Sequence, residues 1–76
     1  MEFPSRQRWE KDTRYYEVAL RRDLFNVPCL VLTWGAKGTA RAQQRTYPFD
    51  HEQEAMIAAD AAIIRRKKRG YHQVAL

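Results

Sequence analysis

Between Asp50 and Gly70 the chain runs without a proline or a glycine and is rich in alanine and straight-chain residues, a composition that costs least in an α-helix. The pattern predicts one helix over 51–69. Asp50 is placed to cap it, and Gln53, three residues on, is placed to return a bond to the cap. Gly70 stands where a left-handed residue would stop it. At 3.6 residues per turn Ala55, Ala58, Ala59, Ala62, Ile63 and Arg66 form one stripe, with Met56 on its flank. Mostly small side chains there let the helix lie close against whatever it covers. Ile57 and Ile64 fall on the opposite side, beside Gln53, Asp60 and Lys68. They are either the flank of a broad core face or an exposed patch for a partner, and periodicity leaves both open.

The rest of the chain must supply the surface that this helix covers, and its period is two. In Leu30-Val31-Leu32-Thr33-Trp34-Gly35, Leu30, Leu32 and Trp34 share one side of a pleat, with Cys29, Val31 and Thr33 on the other. Both sides are apolar enough for a central strand. Arg14 to Arg22 alternates likewise, with Tyr16, Val18 and Leu20 on one face, as expected of a half-buried strand. Asn26 and Pro28 mark the link between these two strands. Thr39 to Phe49 keeps the period through Arg45, Tyr47 and Phe49 and carries a wet face, until Pro48 ends the ladder. Short links make a meander the simplest connection. Tyr71 to Leu76 either adds a short terminal strand or frays. The expectation is an α+β fold: an antiparallel sheet of three to five strands with one helix, about 51–69, packed across it. Residues 1–12 are expected to be a polar N-terminal arm in front of a domain over 13–76, and Trp9 in that arm is given no role.

At 76 residues the chain has room for one small domain, so its function must sit on a surface or in a shallow cleft. No apolar run approaches the ~20 residues of a membrane span. The first residues lack the sections of a signal peptide, so a soluble, cytoplasmic protein is expected. The single Cys29 and the separated His51 and His72 give no metal set, and Cys29 is read as a buried strand thiol. Catalysis has no support either: the one serine lies in the arm, and Glu52 and Glu54 at a helix start are explained by the helix dipole. No cofactor, no membrane and no small-molecule substrate is expected.

Charge is informative once it is located. The net +5 equals the five cations of Arg65-Arg66-Lys67-Lys68-Arg69, since the other nine basic residues match the nine acidic ones. Such a run suggests an anionic partner, most often nucleic acid, and equally complements the carbonyl end of a helix. Trp34 at the mouth of the turn Gly35-Ala36-Lys37-Gly38 is likewise either a contact surface or a core residue before an ordinary hairpin. The two glycines suit positive φ or close approach by another group.

Taken together, Arg14-Tyr15-Tyr16, Asp23-Leu24-Phe25, Trp34-Gly35 with Gly38, Phe49, Glu54-Ala55 and the basic residues leading to Gly70-Tyr71 resemble the WGR domain. That domain is found in DNA-dependent poly(ADP-ribose) polymerases and as small bacterial domains, and the resemblance covers Arg14 to Tyr71. It implies a curved antiparallel sheet crossed by one helix, and nucleic-acid binding with Trp34 as the stacking or sugar-contacting residue. An aromatic face accepts a base regardless of sequence. Lys37, Arg41 and Arg45 would bind phosphates around it, together with Arg66, Lys67 and Arg69 at the helix end. The sequence departs from the family where Ala36 replaces the arginine of its third letter, Lys37 the hydrophobic residue after it, and Arg41 and Ala42 a later glycine and glutamine. The leading expectation is a DNA-binding module, largely sequence-independent, acting at ends or breaks. The alternative is a protein-interaction or homodimerisation module that keeps the fold without the DNA site and uses Ile57 and Ile64.

Overall fold

The computed structural model describes Met1–Leu76, in the order β1 (Ser5–Lys11), β2 (Arg14–Arg22), β3 (Pro28–Ala36), β4 (Ala42–Pro48), α1 (Glu52–Lys68) and β5 (His72–Val74). The strands form one antiparallel sheet in the spatial order β4-β3-β2-β1-β5. The expected meander is its β2-β3-β4 part. Because α1 leaves one edge strand and delivers the chain to the other, it must cross the whole sheet. The α+β class and the single crossing helix are as the sequence predicts.

The register aligns Trp9 with Tyr16, Tyr16 with Trp34, and Trp34 with Gln43. Residues two steps along each strand share that face, so Val18, Leu20, Leu30 and Leu32 join Trp9 in the core beneath Ala55, Ala59, Ala62 and Ile63. Four small or medium residues on α1 allow the close approach that the alanine stripe predicts. Ile57 and Ile64 are 70% and 52% exposed, so they are no part of the core. Cys29 and Val31 are buried on the opposite side of the sheet, where burial, and then the charge of Asp23, push the Cys29 thiol up.

Two expectations are corrected. The segment read as a loose polar arm contains β1, which pairs along its full length with β2 and also with β5. Its single apolar residue at the register of the core, Trp9, is only 4% exposed, while Arg8 and Glu10 on either side of it face the other way and pair with each other at 2.8 Å. A strand that anchors through one large side chain reads as polar by composition. The helix also starts one residue later than expected: the cap position is His51, extended at φ −134° and ψ 148°, with no side-chain bond. The Asp50 capping box does not form. Glu52 and Glu54 in the first turn supply the favourable charge instead, and Glu52 accepts a 2.6 Å bond from Arg22. Of the two alternatives left open for the last residues, the strand is the one that forms, as β5.

The C-terminal end of α1 is as the sequence predicts. Gly70 has φ +89°, its N–H donates to Lys67 O at 3.0 Å, and the Tyr71 N–H donates to Arg66 O at 3.0 Å. This is a Schellman ending, which satisfies carbonyls that the helix leaves orphaned. In the β3–β4 turn the two glycines serve the two expected purposes. Gly38 takes φ +77°, and a Cβ on Gly35 would stand 2.8 Å from the Arg41 carbonyl oxygen, so only glycine fits there.

Candidate nucleic-acid interface

The end of β1, the start of β2, the end of β3 and the C-terminus of α1 all meet at one end of the sheet, where the apolar core gives way to aromatic and basic side chains. Trp34 continues the row of Leu30 and Leu32, and Tyr16 continues that of Leu20 and Val18. Their rings stack with centroids 6.0 Å apart and planes 18° from parallel. The Schellman turn sets Tyr71 edge-on to Tyr16 at 6.5 Å. Arg66, the last residue of the buried helical stripe, extends over these rings: its guanidinium carbon lies 4.3 Å from the Tyr16 centroid and 5.4 Å from that of Tyr71. Such stacking stabilises a cation without neutralising it. Burial pushes the Tyr16 phenol up, against the opposing pull of Arg66, so that it remains a neutral hydroxyl.

These residues wall a cleft of about 570 Å³ whose charged lining is Lys11, Arg14, Arg66 and Arg69, with no carboxylate. Arg66 makes no ion pair, and its buried Nε has no hydrogen-bond partner. Lys11 reaches across to donate from Nζ to the Arg69 carbonyl at 2.6 Å, tying β1 to the helix end. No acid lines it: Glu52 and Glu54 are at the far end of α1, Glu10 and Glu17 are engaged in an ion-pair cluster with Arg8, and Asp12 stands in the turn between β1 and β2. The cleft is therefore a positive, aromatic-floored site at one end of the sheet. No group of His, Cys, Asp and Glu side chains is arranged to hold a metal.

The seven basic and aromatic residues expected at an interface divide among several places. Trp34, Arg66 and Arg69 line this cleft. Arg41 lines a second cleft of about 630 Å³ on the β4 side of Trp34, with Ala36, Thr39, Ala40 and Gln43. Arg45 lies opposite Leu32 on the exposed edge strand and lines neither cleft. Lys37 pairs with Glu10, Nζ to Oε1 at 3.4 Å, which directs it to the opposite side of the sheet. It does not take over the place of an arginine at position 36. Lys67 lies 5.7 Å over the Trp9 ring, away from the cleft. Lys11, Arg14, Tyr16 and Tyr71 are cleft residues that the site prediction missed. The pleat signals two of them, since Arg14 and Tyr16 share a face and pair across to Ala36 and Trp34. Lys11 lies in a segment that is polar by composition and enters the cleft by pairing with Arg14, and Tyr71 enters it through the tight turn at Gly70.

The family model of the WGR domain matches residues 3–75, including the β1 segment that the motif resemblance left out. No curated protein and no solved structure matches the chain. WGR domains are in general nucleic-acid-binding modules of poly(ADP-ribose) polymerase-like proteins, and they are binding rather than catalytic domains.

Proposed function

Since this chain belongs to the WGR domain family, we propose that it binds DNA, largely without sequence preference, at ends or breaks. The observation that carries this reading is the cleft in which four cations and no carboxylate surround the rings of Tyr16, Trp34 and Tyr71. Phosphates supply affinity and register to such a cleft, and aromatic faces accept any base or sugar. A duplex interior offers phosphates but no free aromatic partner, whereas an end offers both. Arg14 stands directly across from Ala36, so the edge of the cleft keeps a cation although position 36 has none.

The test is binding of a labelled blunt duplex by fluorescence anisotropy across a salt series, with a covalently closed circle as competitor. Tight, salt-dependent binding that the circle does not displace supports recognition of ends. Equal displacement reduces the function to general backbone binding. Absence of binding at low salt removes the nucleic-acid reading.

A second reading rests on Ile57 and Ile64, both exposed on the outer face of α1 and one side of a helix apart from the DNA cleft. An interaction module would cover them with a protein partner or a second copy. Light scattering of the wild type and of Ile57→Asp/Ile64→Asp separates these cases.

A further inference from the structure

The two faces of Trp34 are not equivalent. Tyr16, its neighbour on β2, backs one face. On the other side its cross-strand neighbour is Gln43, and there the second cleft opens, lined by Trp34, Ala36, Thr39, Ala40, Arg41 and Gln43 among others. It is an open cleft of about 630 Å³. The two clefts share the wall Trp34-Gly35-Ala36. Every cation of the first cleft lies on the β2 and α1 side of that wall, and the second contributes a single cation, Arg41.

We infer that this second cleft is a slot for one unpaired nucleobase, stacked on the β4-side face of Trp34 while the phosphates of the same strand lie in the basic cleft. The inference rests on the DNA-binding reading and deepens it: the preferred ligand is a DNA end carrying a single-stranded nucleotide rather than a blunt end. Gln43 sits beside the stacking face with an amide that donates and accepts, the chemistry that a base edge offers. Its neighbour Gln44 is bonded to Thr33 on the opposite face at 3.2 Å, while the Gln43 amide makes no bond within the protein. Thr39 donates its hydroxyl to the Ala36 carbonyl at 2.9 Å, which braces the turn that forms the slot's rim. Ala36 is the gate. It shares the face of Trp34, two residues along the strand, and a long side chain there would extend across the wall that the strand must cross. The methyl of alanine leaves the passage open.

The experiment compares, by anisotropy at one low salt concentration, a blunt duplex, duplexes with a one-nucleotide 5′ or 3′ overhang, and the same overhangs made abasic. For the wild type, a base-bearing overhang of at least one polarity is expected to bind on the order of 10-fold tighter than the blunt and abasic forms, the ratio that one stacked base supplies. In Ala36→Arg that ratio, taken against the variant's own affinity for the blunt duplex, falls to about one, with circular dichroism showing an unchanged fold. In Gln43→Ala the ratio becomes the same for all four bases. Equal binding of blunt, abasic and base-bearing ends by the wild type overturns the slot and leaves DNA binding standing. A preference that survives in Ala36→Arg places the base elsewhere and also overturns it. Failure to bind any of these duplexes overturns the slot together with the reading on which it rests.

Discussion

The guanidinium of Arg66 lies 4.3 Å from the centroid of the Tyr16 ring, and no carboxylate reaches it. A helix end rich in cations normally serves its own carbonyls, but here the Schellman turn and Lys11 already satisfy several of them. That leaves the Arg66 charge available to a ligand. Arg66→Gln should lower the slope of log affinity against log salt by about one, the loss of one phosphate contact. The same variant should lose about 0.5–2 kcal/mol of stability with the cation–π contact, read from a urea midpoint. An unchanged salt slope would show that Arg66 only braces Tyr16.

Trp9 and Trp34 make a controlled pair, because they occupy one register row at different depths. Trp9 is sealed under α1 and Trp34 is half-buried at the edge. Trp9→Ala should cost about 3–5 kcal/mol, against a total of roughly 4–11 kcal/mol for a domain of this size. Much of the population should then unfold at moderate urea. Trp34→Ala should remain folded and lose on the order of 10-fold in affinity for DNA ends. Urea titration and anisotropy on both variants decide the matter, and unfolding of Trp34→Ala would make that residue core.

The difference between these tryptophans also marks what the sequence could and could not tell. Period two in β2 and β3 and the glycine-free run of α1 were legible because each rests on many residues acting together. β1 was not, since one buried Trp9 among alternating charges gives no average apolarity, and of its two partners β5 arrives from the far end of the chain. The cap failed for a local reason: Asp50 and His51 compete for adjacent positions, and the backbone chose His51. The site was half legible. Trp34, Arg66 and Arg69 follow from motif and helix period, whereas Lys11 and Tyr71 reach the cleft only through sheet order and the turn after Gly70.

The run Arg65 to Arg69 is one cluster in sequence and two surfaces in space, because successive helical residues diverge by about 100°. Arg69 lines the cleft while Lys67 lies over Trp9. Arg69→Gln should therefore reduce the salt slope by about one. Lys67→Gln should leave the slope within error and lower stability by about 0.5–1 kcal/mol. Equal slope changes would mean that DNA wraps the helix end rather than entering the cleft.

Lys37 gives a sharper version of the same argument through pH. Glu10 accepts from Arg8 at 2.8 Å and from Lys37 at 3.4 Å, and these contacts, Arg8 first, hold its carboxyl below the usual carboxylate range. The folded state thus binds a proton at Glu10 less readily than the unfolded chain does. The stabilisation is complete above the ordinary carboxylate pKa and is lost as pH falls through the lowered value in the fold. Wild type should have a higher urea midpoint than Glu10→Gln at neutral pH, and the gap should close on acidification through that window. Because the Lys37 charge is already engaged on the face opposite Trp34, Lys37→Ala should leave the salt slope of DNA binding unchanged. A slope lowered by about one would instead show that Lys37 leaves Glu10 for a phosphate, which would put DNA on the turn as well as in the cleft.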